Sequence, residues 1–281
     1  MQTTKTIMRF VLVLTNAIML CSVTAARSET PQDGYTFVIG PTQSATELAT
    51  HWTPVMQYLT EKSGISLRCK LSKDIPTFQE QMREGIYDFA YISPYHYILS
   101  HKSVGYTAFA REKEGKLFGI LVVKKGGVVE NVSQLNGKIL AFPAGSATAA
   151  TWLPMYMLQE KNITVTPQYV NSMESVYRSV AKGLFPAGGG TMQTLSALDP
   201  QVRNQLHVLW TSKPLPPFTF AVHPRVPKNV VAKLQKAMDE MDTNPQGYAL
   251  LKAINFKGVE LTNDAAYDAM RKMNFKPVEA K

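Results

Sequence analysis

Ser146 and Thr148 stand two positions apart where a strand gives way to a helix. Residues 138–142 are apolar enough for a strand, Pro143 and Gly145 break it, and a helical pattern then runs to about Gln159. The first backbone N–H groups of a helix have no intrahelical acceptor, and the helix dipole is positive there. With two hydroxyls beside them, these donors make a small anion seat. The plainer assignment is that Ser146 is the N-cap of an ordinary helix. The surroundings have to decide between the two.

Other chemistries are poorly represented. The five histidines include His96 and His101, whose spacing of five does not place them on one helix face, and no cysteine or carboxylate completes a metal site with them. No metal and no cofactor is expected. There is no Gly-x-Ser-x-Gly elbow for a serine hydrolase, and Gly188-Gly189-Gly190 lacks the Gly-Lys-Ser/Thr end of a phosphate-cradling loop. That glycine run reads as a tight turn between strand and helix, with a backbone anion nest as the alternative. Methionines such as Met56, Met82, Met155 and Met238 fall on apolar stripes and read as core.

The elements that would position these residues alternate regularly. Residues 36–40 form a strand, 45–61 a helix through Leu48, Trp52, Val55, Met56 and Leu59, and 65–71 a second strand. Phe78, Met82 and Ile86 mark a helix; residues 88–92 are an almost wholly apolar strand, expected to be buried on both faces of a parallel sheet. This alternation is the signature of an open α/β sheet, whose ligands sit beyond the carboxyl ends of the strands. The turns Thr42-Gln43-Ser44 and Ser93-Pro94-Tyr95-His96 lie at such ends. A second series of strands and helices starts near Val132, and strand-like crossings near residues 121–125 and 211–220 divide the chain into two lobes. The division expected is residues 27–122 with 218–281 in lobe 1 and 123–217 in lobe 2. Such a chain closes on a ligand by hinge motion.

Length and composition agree with this plan. The 281 residues, 45% hydrophobic and 18% charged, suffice for two packed lobes. Residues 1–26 have Lys5 and Arg9, an apolar run and small residues at Val23-Thr24-Ala25-Ala26, the pattern of a cleavable signal peptide rather than a membrane span. Cys21 is preceded by Ile18-Met19-Leu20, where a lipid-attachment site would need a small residue. A soluble periplasmic protein is therefore expected. Removing the leader leaves Cys69 without a disulfide partner and a net charge of +7. A basic exported protein suits an anionic ligand, and the scatter of its charges gives no footprint for nucleic acid.

Four stretches together resemble the phosphate/phosphite/phosphonate-binding family of periplasmic solute-binding proteins that serve ABC importers. They are Trp52-Thr53-Pro54, residues 85–97 from Gly85-Ile86-Tyr87-Asp88 to Tyr95-His96-Tyr97, residues 141–154 around the seat, and Leu209-Trp210-Thr211-Ser212 with Pro214 and Pro216. The resemblance spans residues 35–259 and implies a type II periplasmic binding fold, α/β in class, with an oxyanion held between lobes joined by hinge strands. It implies that Ser146, Ala147 and Thr148 form the anion loop, that Tyr95 and His96 face the ligand from the other lobe, and that Ser44 lines the cleft. The family often has histidine followed by an acidic residue where this chain has Met173-Glu174, so Glu174 either meets a ligand amine or is an exposed carboxylate at a helix start. Ala147 and Pro186 also depart from the family pattern.

The function expected is a non-enzymatic protein that captures a small phosphorus oxyanion and presents its closed form to an ABC permease. One alternative keeps the fold and docks on the periplasmic domain of a sensor kinase. Another is a hydrolase of phosphorylated small molecules, for which His96 is the general base available.

Overall fold

The computed structural model describes residues 34–42 and 45–273; the expected leader and Ser44 lie outside the described residues. The chain begins with β1 (Tyr35–Ile39), α1 (Ala45–Ser63), β2 (Leu67–Leu71), α2 (Ile75–Arg83), β3 (Phe89–Ile92), α3 (Pro94–Val104) and β4 (Thr107–Glu112). It crosses to β5 (Ile120–Lys124), a 3₁₀ turn (Val132–Leu135), β6 (Ile139–Phe142) and a π-helical turn (Thr148–Trp152) that runs straight into α4 (Leu153–Glu160). There follow β7 (Thr166–Tyr169), α5 (Met173–Ala181), β8 (Ala187–Gly190), α6 (Met192–Ala197), α7 (Pro200–Arg203) and β9 (Leu206–Thr211). The chain returns through β10 (Thr219–Val222), α8 (Lys228–Asp239), α9 (Pro245–Ala253), β11 (Val259–Leu261) and α10 (Asp268–Arg271).

Two sheets result, ordered β11-β4-β10-β3-β1-β2 and β7-β6-β8-β5-β9. In the first, β1 pairs parallel with β2 and β3; in the second, β6 pairs parallel with β7 and β8. The continuous apolar run of β3 has a direct cause. Phe89 packs on one side with Phe37, Trp52 and Leu234, while Ala90 and Ile92 pack on the other with Val38, Phe78 and Tyr97. Both faces of the strand are covered, so neither alternates with polar residues. The second sheet is covered likewise, by Leu140, Phe142 and Leu158 on one side and Ala141, Val176 and Tyr177 on the other.

The register shows which edge of each sheet faces the other. Thr219 at the start of β10 lies opposite Ile92 and Arg111, and Ile120 at the start of β5 lies opposite Gly190 and Thr211. Both crossings therefore leave from the edge at which the parallel strands end. There Leu117 and Leu215 exchange two backbone hydrogen bonds of 3.0 Å each, and Ser212 N–H donates to Gly119 O at 2.8 Å. β5 belongs whole to the second sheet, so the first crossing is at residues 117–119 rather than 121–125. The apolar continuity of Leu117 through Val123 hid this break from the sequence pattern.

A second correction concerns Gly188-Gly189-Gly190. These residues are not a turn but most of β8, a buried strand in the middle of its sheet. β-Propensity disfavours glycine there, and the packing described below explains its presence.

Candidate anion-binding site

The seat begins with two glycines, Gly189 within β8 and Gly119 just before β5. A Cβ on Gly189 would fall 1.8 Å from the carbonyl oxygen of Ala150, and one on Gly119 would fall 2.2 Å from that of Ala149. The absence of both side chains lets the π-helical turn press its backbone onto β8 and β5. Within the turn, Thr151 N–H and Trp152 N–H both donate to Ala147 O, at 2.8 and 3.1 Å. The wide turn is pinned by the Thr151 hydroxyl, which donates to Ala144 O at 2.7 Å. Single π turns recur at functional sites.

The helix starts at Thr148 with Ala147 as its cap residue and no side-chain cap bond. The N-cap assignment of Ser146 is thereby corrected: Ser146 lies one residue before the cap, half-buried. Thr148, Ala149 and Ala150 precede the first residue whose N–H finds an intrahelical acceptor, so helix geometry leaves their donors pointing past the helix end. The Thr148 side chain adds an independent sign of a ligand. The residue is 4% exposed, and its Oγ1 has no hydrogen-bond partner among the described residues. Leaving a hydroxyl buried and unpaired costs about 1–3 kcal/mol.

Tyr95 meets the end of the π-helical turn from the first lobe. Ser93 caps α3 with Pro94 in the first turn, which fixes Tyr95 at the end of β3. Its ring lies 6.2 Å from that of Trp152, inside a cluster that joins Leu153 to Leu215 and Met270. Burial raises the Tyr95 hydroxyl above its usual range, so it stays a neutral donor. Tyr169, at the end of β7, was not singled out in the sequence. Its hydroxyl sits 3.1 Å from where a Cβ on Gly145 would be, directly over the loop, and burial, with a smaller effect of the nearby Tyr95, raises its pKa. The available signal was its place as the last residue of a parallel strand, where side chains face the ligand edge.

His96 does not share that position. Its Nδ1 is 2.9 Å from Ser93 Oγ and its Nε2 is 3.1 Å from Gln79 Nε2, so both ring nitrogens are engaged inside the first lobe. Burial pushes its pKa down to about 4, which leaves it neutral and weakly basic. The general-base role required of it as a hydrolase residue has no support in this geometry. Glu174 lies exposed in the first turn of α5 and pairs with Arg178, whose Nε donates to Oε1 at 2.8 Å. Beside it Met173 Sδ accepts from the hydroxyls of Thr191 and Thr194, at 3.7 and 3.5 Å. Among the described residues no group of three or more His, Cys, Asp or Glu is placed to hold a metal.

Two lobes joined by paired crossings, with a buried unpartnered hydroxyl at the strand ends of one and a tyrosine of the other packed against the same turn, have the arrangement of a two-lobed ligand-binding protein. The family profile described as "ABC transporter, phosphonate, periplasmic substrate-binding protein" matches residues 37–267. The chain belongs to this family of periplasmic solute-binding proteins, and membership brings a small ligand and a permease partner. Among solved structures it is similar to PhnD1 of Prochlorococcus marinus in complex with methylphosphonate, at 13% identity and a TM-score of 0.74, over 86% of this chain and 97% of that one. A binding component of an ABC phosphonate transporter from Pseudomonas aeruginosa matches at 15% identity and a TM-score of 0.72, over 85% and 84% of the two chains. A Xanthomonas citri protein bound to ATP matches at 15% identity and a TM-score of 0.74, over 86% and 95%. The type II periplasmic binding fold expected from the sequence is the fold of this chain. Among the described residues no helix is long and apolar enough to cross a membrane.

Proposed function

We propose that this protein, exported by its 1–26 leader, captures a phosphonate, phosphite or phosphate between its lobes and delivers it to the permease of an ABC importer. The observation that carries the reading is the buried, unpartnered Thr148 hydroxyl at the head of a helix that continues unbroken from Thr148 to Glu160. Ser146 Oγ, Thr148 Oγ1 and the N–H groups of Thr148, Ala149 and Ala150 hold the anion, and Ala147 contributes backbone alone. Tyr95 covers it from the first lobe. The methylphosphonate in the Prochlorococcus protein supports the same class of ligand here. The test is calorimetry against phosphate, phosphite, methylphosphonate, sulfate and arsenite. One phosphorus compound is expected to bind clearly best. A flat response to all five would discard the reading.

A further inference from the structure

The seat occupies the end of β6, between the ends of β7 and β8. Adjacent strands are about 4.8 Å apart, so whatever the anion carries on its phosphorus atom meets the loops that leave these three strands. Residues 143–152, 169–174 and 189–195 contain no Lys, Arg, His or Asp, and Glu174 is their one acidic residue. Its carboxylate is already bound by Arg178 at 2.7–2.8 Å and turned to solvent. The walls on either side are neutral. Tyr169 stands over Gly145 on one flank, and on the other the Thr191 hydroxyl donates to that of Thr194 and both hydroxyls meet the Met173 thioether. In the first lobe Glu112 closes β4, with Oε2 2.9 Å from the Cβ position of Gly115 in the turn that follows. Burial pushes its carboxyl up.

From this arrangement we infer that the protein selects phosphorus oxyanions whose substituent is small and uncharged, and rejects those bearing an ammonium group. The inference rests on the proposed function and deepens it. A closed, partly dry cleft strips water from the substituent. An alkyl group gains from that transfer, whereas an ammonium that meets no free carboxylate on these second-lobe loops loses its hydration without replacement. Shape alone cannot supply this discrimination, because a terminal methyl and an ammonium are almost the same size.

The experiment compares methylphosphonate, propylphosphonate and 2-aminoethylphosphonate by calorimetry on the full mature chain. The last two compounds are near isosteres that differ in charge. 2-Aminoethylphosphonate is expected to bind at least about tenfold more weakly than propylphosphonate. Thr191→Asp, which preserves the N-cap of α6 while placing a carboxylate at the end of β8, should reverse the order. Equal or tighter binding of 2-aminoethylphosphonate by the wild type overturns the inference, and its loss in Glu112→Gln or Glu174→Gln would then locate the receiving carboxylate. Silence towards all three compounds, phosphite and phosphate would instead overturn the proposed function itself.

Discussion

The Thr148 hydroxyl separates the demands of folding from those of binding. Replacing Thr148 with Val keeps the shape of the side chain and deletes a buried donor that has no partner. Stability without ligand should stay level or rise by about 1 kcal/mol, while affinity for the best phosphorus ligand falls about tenfold. Urea denaturation and calorimetry on the same variant would measure both; unchanged affinity would place the seat elsewhere. His96 makes a prediction of the opposite kind, through pH. Burial lowers its folded pKa from the usual 6.5 to about 4, so between those values the unfolded chain binds a proton that the folded chain refuses. Its contribution therefore favours unfolding progressively as pH falls from 6.5 towards 4. In His96→Gln the stability loss over that window should be smaller than in the wild type. At this scale the sequence singles out Ser146 and Thr148, because hydroxyls at a strand-to-helix break have a local chemical meaning. It tells less of His96, since a residue type says nothing about which way a ring turns. The binding of both its nitrogens by Gln79 and Ser93 depends on how α2 packs against α3.

At the scale of elements, the seat depends on glycine in β8 and at the approach to β5. Gly189→Ala would drive a Cβ into the Ala150 carbonyl and within 2.6 Å of the Phe142 ring, so the π turn must move or β8 must bow. The expected cost is roughly 3 kcal/mol, at the upper end for overpacking, with ligand binding lost in whatever fraction folds. Gly64→Ala provides the comparison. That position has open space around it but a φ of +68°, so the penalty should be only about 1 kcal/mol of backbone strain, with affinity unchanged. Thermal or urea midpoints of the two variants, read beside their affinities, test whether glycine in β8 serves the seat or merely the chain. The alternation of strands and helices was legible because each element carries its own apolar period and its own stop signal, as at Ser93-Pro94 and Gly105. β8 was not legible. Its glycines answer to Ala150, Tyr177 and Val176, partners that are distant in sequence, and a single chain gives no local sign of them. The short β11 was also missed, being a three-residue edge strand that pairs only with β4.

The whole molecule works through the contact between its lobes. Trp152 belongs to the second lobe, yet its ring neighbour Tyr95 and the packed Met270 belong to the first. The rings around Trp52, namely Tyr91, Phe220 and Phe256, all belong to the first lobe. Opening about the Leu117–Leu215 pair would therefore expose Trp152 and leave Trp52 as it is. A ligand that binds between the lobes stabilises the arrangement in which both touch it and shifts the population towards closure. Intrinsic fluorescence should accordingly change on addition of the phosphorus ligand. Trp152→Phe should remove much of that change, leaving the part carried by Trp210, which packs on the same cluster, whereas Trp52→Phe should preserve it. Phe still packs against Tyr95, so the affinity of Trp152→Phe should fall no more than a few-fold, and calorimetry would confirm that a lost signal is not lost binding. If the full fluorescence change survived in Trp152→Phe, closure would have to be read from another part of the molecule, and the Tyr95–Trp152 contact would be a fixed joint rather than a moving one.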